Sequence, residues 1–135
     1  MLKKVWIGTL LIFMVSLAGT AFGQEVPSGK WWYNKKVVQS LNLTQKEISK
    51  LDQLYVKSHR KLIKLKNAVE REQFELDALL GKKTVGDAKV RKQFKRLESA
   101  RTDLADERLG FVIAVRGIIG AERFQQLKTS YKKWR

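Results

Sequence analysis

Several residue types that commonly build functional sites are scarce or missing in this 135-residue chain. There is no cysteine, which excludes disulfides, thiolate metal sites, cysteine nucleophiles and a lipoprotein anchor. His59 is the only histidine, and Pro27 is the only proline. No Ser-His-acid set and no Gly-rich phosphate loop stands out. We therefore expect a protein that is not an enzyme and that uses no cofactor.

The first residues predict export. Lys3 and Lys4 precede an apolar run from Val5 to Leu17, and Ala21-Phe22-Gly23 fits a small-x-small cleavage pattern. We predict a cleaved signal peptide at residues 1–23 and a single domain at residues 24–135. The alternative is a retained membrane anchor, although glycine, serine and threonine interrupt the roughly 20 apolar residues that a span needs.

The chain is strongly basic, with 28 Lys and Arg residues against 13 Asp and Glu. Removal of Lys3 and Lys4 with the signal peptide leaves 26 basic and 13 acidic residues, a net charge of +13. Such a charge is typical of nucleic-acid binding, but export argues against that partner. Acidic protein segments, anionic lipid headgroups at a membrane surface and lipopolysaccharide remain as candidates.

The segment LNLTQKEISKL predicts the start of a helix. Thr44 and Glu47 form a capping box, and Leu43 and Ile48 occupy the positions of a hydrophobic staple. Apolar residues then recur at steps of three and four as far as Leu80, before Gly81. These residues, which we call the inner seam, are Ile48, Leu51, Tyr55, Leu62, Leu65, Val69, Leu76 and Leu79, with Ser58 and Glu72 at the two polar places.

A second helix is predicted after the segment GKKT, with Thr84 as its cap and Asp87 three residues later. Its seam contains Val90, Phe94, Leu97, Leu104, Phe111, Val115 and Ile118, with Arg101 and Arg108 between them. The short connection predicts an antiparallel hairpin of two helices, each about 36 residues and about 54 Å long. In this register Arg108 lies near Ser58, and Glu72 lies near Lys92. Polar pairs of this kind commonly fix the register.

Short helices are predicted on both sides of the hairpin. The first follows Trp31, Trp32 and Tyr33, and the last runs from Ile119 through Tyr131. We expect these aromatic residues and Trp134 to pack at the end of the bundle; the alternative is that they lie at a membrane interface. The stretch 109–119 is apolar nearly all round, and its small residues, Gly110, Ala114 and Gly117, suit a dimer interface or a docked terminal helix.

The first long helix carries a second stripe, about 140° away from the inner seam. Val56, Ile63 and Phe74 point in one direction, and Arg60, Lys64 and Arg71 lie in or beside the same stripe. Two interpretations remain open: the stripe packs against terminal segments or a second subunit, or it is an exposed surface that binds other chains.

This arrangement resembles the Spy/CpxP family of periplasmic proteins, which carries two LTxxQ motifs. Leu43 and Thr44 match the first motif, and Glu47, or nearby Gln45, only approximates its Gln. The second motif is degenerate: Ile119 and Glu122 remain, but Gly120 replaces Thr and Arg123 replaces Gln. The resemblance implies an all-α, cradle-shaped homodimer in the periplasm. It also implies one of three roles: an ATP-independent chaperone, an inhibitor of an envelope-stress sensor kinase, or a zinc or heavy-metal sensor or resistance protein.

The residue inventory favours the chaperone role. Zinc sites need three or four clustered ligands, commonly His or Cys, so His59 could contribute only to a site shared across a dimer. We expect no other metal ligand. The predicted partners are unfolded or misfolded envelope proteins, bound by Val56, Arg60, Ile63, Lys64, Arg71 and Phe74. The periplasmic domain of a sensor kinase and weak contact with an anionic membrane are the further candidates.

Overall fold

The structure, a computed structural model, describes residues 27–134, so the predicted signal peptide lies outside the described residues. A 3-10 helix at Trp31–Tyr33 precedes four α-helices: α1 (Lys35–Leu41), α2 (Gln45–Leu80), α3 (Asp87–Ile119) and α4 (Ala121–Trp134). No strand occurs in this part of the chain. The all-α prediction, with a long hairpin between two short helices, is confirmed. None of the helices in the described range is both long and apolar enough to span a membrane.

The start of α2 follows the predicted capping box. The Thr44 hydroxyl accepts a hydrogen bond from the Glu47 N–H at 3.1 Å, and the Glu47 carboxylate accepts one from the Thr44 N–H at 3.0 Å. These two bonds satisfy the backbone N–H groups of Thr44 and Glu47, which have no partner within the helix. Leu43 is buried and Ile48 packs against the same core, as a hydrophobic staple requires.

The prediction that Thr84 caps the second helix is wrong. The N-cap of α3 is Gly86, without a side-chain cap bond, and Asp87 is the first helical residue. The chain uses residues 81–86 to reverse direction between the two helices, two residues more than the GKKT segment supplies. Asp87 therefore lies in the first turn, where a carboxylate interacts favourably with the helix dipole.

The long helices pack through the predicted seams, with two differences in α3. Phe94 is exposed and Gln93 is buried in its place. The polar pairs also involve neighbouring residues. Ser58 donates to the Glu107 carboxylate at 3.1 Å, rather than lying against Arg108, and Gln93 donates to the Glu72 carboxylate at 2.7 Å, rather than Lys92 approaching it. Because one residue is 100° of helix rotation, a small error in the assumed seam direction changes which polar side chain faces the partner.

The two short helices pack at the open end of the hairpin, opposite the connection at residues 81–86. We call residues 27–44 and 120–134 the hook, and α2, α3 and their connection (45–119) the shaft. Gly120, with φ of 84°, separates α3 from α4 in a backbone conformation that favours glycine. The main core lies where the hook meets the shaft, and it contains Trp31, Trp32, Val37, Leu41, Leu43, Leu51, Val115, Ile119, Phe124 and Leu127. The predicted packing of the aromatic residues is confirmed for Trp31, Trp32 and Trp134, whereas the Tyr33 side chain is exposed.

Candidate functional site

The outer face of α2 presents the stripe that the sequence indicated. We call Val56, Arg60, Ile63, Lys64, Arg71 and Phe74 the outer stripe; all six are exposed. The exposed fractions of the apolar members are large: 46% for Val56, 48% for Ile63 and 71% for Phe74. Residues 56, 63 and 74 are two and three turns apart, so their side chains follow one line along the helix. The described terminal helices pack at the hook, so the interpretation that they cover this stripe is wrong.

The charge of the outer stripe is positive along its length. Arg60 and Lys64 form no salt bridge within residues 27–134, and the Arg71 guanidinium is 3.9 Å from the Glu72 carboxylate, at the long end of ion-pair distances. These cations therefore stay available to a negatively charged partner. Apolar side chains between such cations offer contact to a partner that the charges attract.

A shallow depression of about 450 Å³ lies at the N-terminal end of the stripe, lined by Asp52, Gln53, Val56, Lys57 and Arg60. Asp52 accepts hydrogen bonds from Tyr33 Oη and Trp32 Nε1, both at 2.7 Å. These two hydrogen bonds hold the pKa of Asp52 below its ordinary value, and the bond from Tyr33 has the larger effect. Asp52 is thus a fixed negative charge beside the positive stripe, an arrangement that the sequence alone did not indicate.

The two motif segments meet in space. Glu47 forms a salt bridge with Arg123, and Arg123 also donates to the backbone carbonyls of Ile119 at 2.7 Å and Leu41 at 3.3 Å. The hydrogen bond from Arg123 lowers the pKa of Glu47 to about 2. Leu43 and Ile119 are buried on either side, whereas Glu122 is exposed. Arg123, the residue that replaces the Gln of the second motif, therefore connects the second motif segment to the first. Its charge is opposite to that of Glu47, and this was the sequence feature that could have indicated the contact.

His59 lies on the exposed side of α2 and stacks on Tyr55, with ring centroids 5.2 Å apart and an angle of 12° between the planes. No group of three or more His, Cys, Asp and Glu side chains within the described residues could hold a metal ion. The stacking on Tyr55 fixes the plane of this imidazole ring.

Comparison with known protein families gives a match over most of the chain. A family model described as heavy-metal resistance matches residues 10–126, which is most of the chain. The chain belongs to the heavy-metal resistance family. This family lies in the superfamily of Spy/CpxP-like proteins with LTxxQ motifs, which agrees at that coarser level with the resemblance read from Leu43, Thr44 and Glu47. No curated protein and no solved structure matches the chain.

The donors in this family member do not fit a soft heavy-metal site. Thiolate and thioether sulfur select soft ions, and imidazole suits zinc, copper and nickel. The chain has no cysteine, its two methionines are Met1 and Met14, and its single imidazole, that of His59, stacks on Tyr55. Residues 27–134 of one chain thus present a basic, partly apolar surface, without a cluster of sulfur or imidazole ligands for a metal ion.

Proposed function

We propose that this protein is an exported chaperone that works without ATP and binds unfolded or misfolded envelope proteins on the outer stripe of α2. The observation that supports this function is the alternation of exposed apolar side chains, Val56, Ile63 and Phe74, with exposed cations. Unfolded chains expose apolar groups that folded partners bury, and contacts of this kind are weak and spread over about 27 Å of helix. A client can therefore fold while it stays bound.

This function also suits a member of the heavy-metal resistance family. Heavy-metal ions bind to side chains that normally hold another metal or none. The affected proteins unfold, and their unfolded chains aggregate. Protection of those chains would contribute to resistance without storage of the ion. The proposed contribution therefore depends on the outer stripe and does not require a metal ligand.

The test is the aggregation of a denatured model client with and without the protein, in chelator and then in added zinc. We expect suppression in chelator near one dimer per client. The variant Val56→Ser/Ile63→Ser/Phe74→Ser should suppress aggregation at least severalfold less, and Arg60→Glu/Arg71→Glu should weaken suppression most at low salt, because salt screens the exposed charges. Unchanged suppression in both variants would contradict the proposed site.

The shaft offers a matched control. Leu80 and Phe94 are 60% and 48% exposed, close to the 71% and 48% of Phe74 and Ile63. The variant Leu80→Ser/Phe94→Ser removes an apolar area similar to that of Ile63→Ser/Phe74→Ser, from other faces and outside the predicted dimer interface at 109–119. It should retain suppression if the outer stripe binds clients. An equal loss in both double variants would indicate general surface hydrophobicity instead.

We also propose the homodimer that the resemblance implies. Leu109 and Ile113 are exposed beside Gly110 and Gly117, and a methyl group added at either glycine would meet no atom of the same chain within 4 Å. A helix of a second copy can approach closely there. Sedimentation analysis should give a dimer that Gly110→Leu/Gly117→Leu dissociates; a wild-type monomer would refute this.

A second candidate is direct metal sensing, which the family match supports and the ligand inventory disfavours. Equilibrium dialysis with zinc would separate the two functions. Stoichiometric binding that is lost in His59→Ala, together with suppression only in zinc, would establish the metal function. If no generic client is protected in either condition, the periplasmic domain of a sensor kinase becomes the leading partner.

A further inference from the structure

We propose that the hook is a membrane-facing end, which docks on anionic lipid headgroups through Lys35, Lys36, Lys132 and Lys133. All four side chains are exposed. Lys35 and Lys36 begin α1, and Lys132 and Lys133 lie in the last turn of α4. Because α1 and α4 pack on each other, both lysine pairs lie at the end of the hairpin opposite the connection at 81–86. This surface is separate from the outer stripe, and the inference does not depend on chaperone activity.

The distribution of charge distinguishes the hook from the shaft. The hook has seven basic residues and one acidic residue, Glu122, whereas the shaft has eighteen basic and eleven acidic residues. Acidic side chains on the shaft therefore reduce the potential of its cations. At the hook, Glu47 pairs with Arg123 and Asp52 accepts bonds from Trp32 and Tyr33, whereas Lys35, Lys36, Lys132 and Lys133 form no salt bridge within residues 27–134. A surface of one sign is what attraction to an anionic bilayer requires.

The type of cation also fits lipid. Every basic residue of the hook is lysine except Arg123, which is engaged by Glu47. Arginine suits a fixed bidentate partner such as a protein carboxylate, whereas the lysine ammonium acts as a point charge on a long stem. Point charges without fixed geometry match headgroups that move laterally in a bilayer. The lysines are thus better suited to a lipid surface than to one acidic protein.

The apolar N-terminal run precedes the hook closely in the sequence. The main core includes Trp31 of the hook, and Val5 to Leu17 precede that residue by only fourteen positions. If the apolar run is retained in the membrane, the hook is the described part of the chain that follows it first, and two weak signals act together. If the run is cleaved, the lysines give salt-sensitive peripheral binding.

The test is amine labelling of the full chain, expressed and purified from a bacterial envelope, on vesicles. Vesicles of phosphatidylcholine alone are compared with vesicles that also contain phosphatidylglycerol, and mass spectrometry measures labelling of each lysine. We expect labelling at the four hook lysines to fall severalfold on anionic vesicles only, and to recover in high salt. This readout applies whether or not the apolar run is inserted.

Four lysines at the far end of the shaft, Lys82, Lys83, Lys89 and Lys92, are the matched control, because they are also exposed and equal in number. Their labelling should change little. Replacing the four hook lysines with glutamine should reduce the phosphatidylglycerol-dependent part of vesicle binding at least twentyfold, since each lysine near the surface contributes about fivefold. The same replacement at the shaft end should reduce it less than fivefold, and circular dichroism checks that both variants fold.

Three outcomes would overturn the inference: equal protection of both lysine groups, protection of the shaft group alone, or no difference between the two vesicle types. A fourth would redirect it to an acidic protein: protection of the hook lysines by polyglutamate but not by phosphatidylglycerol vesicles at equal negative charge.

Discussion

The hook and the shaft use apolar residues in opposite ways. Ten buried residues form the main core where the hook closes the hairpin, and Tyr33 is the one large apolar side chain of the hook that is clearly exposed among the described residues. The shaft exposes Val56, Ile63, Phe74, Leu80, Phe94, Leu109 and Ile113. A pair of helices has only one shared interface, so the outer faces of α2 and α3 stay uncovered. The hook end therefore stabilises the fold, while the uncovered shaft offers surface to other molecules.

The largest expected effect contrasts one aromatic residue from each region. Trp32 is 0% exposed in the core, so Trp32→Ala should lower the free energy of unfolding by about 3–5 kcal/mol. Phe74→Ala removes an exposed side chain and should change it by less than about 0.5 kcal/mol. Urea denaturation measures both values. Similar losses for the two variants would show that the shaft surface is buried in the assembled protein.

The Glu47–Arg123 pair joins the shaft to the hook, and its removal should have a moderate effect. Glu47→Gln retains a side chain that can complete the capping box but loses the charge. We expect a loss of about 1–2 kcal/mol at pH 7, discounted for the partial exposure of the pair.

The pH dependence of this effect has a defined sign. The pKa of Glu47 is lowered from its ordinary 4.5 to about 2 in the folded protein. Its contribution is therefore complete above pH 4.5 and is lost as the pH falls towards 2. Urea midpoints of wild type and Glu47→Gln should converge over that interval, whereas a constant difference would mean that the carboxylate acts without its charge.

The smallest expected effect compares the two threonines that the sequence presents as caps. Thr44→Ala should cost about 1 kcal/mol, because it removes the acceptor of the Glu47 N–H bond. Thr84→Ala should change stability by less than about 0.5 kcal/mol, because α3 begins after Gly86 without a side-chain cap. Thermal unfolding at one pH is sufficient to compare them, and an equal cost at Thr84 would place the start of α3 earlier.

The features that could be predicted from the sequence are local in the chain. Helix period, the capping box at Thr44 and the outer stripe depend on residues within a few turns of each other. Gln93, Glu107 and Arg123 could not be assigned in this way, because each contacts a residue at least 21 positions away. For such contacts the rotation and offset of two helices decide which neighbour faces inward, and the periodic pattern defines that direction only to about one residue.

The sequence by itself determined an all-α chain with two long helices, a basic charge and a second stripe of apolar and basic side chains on the first long helix, because these follow from composition and from the 3.6-residue period. Only the tertiary structure decided that Arg123 joins the two motif segments, that Asp52 is held by Trp32 and Tyr33, and that the lysines of α1 and α4 share one end. The physical reason is that these contacts depend on how helices far apart in the chain pack on a common core.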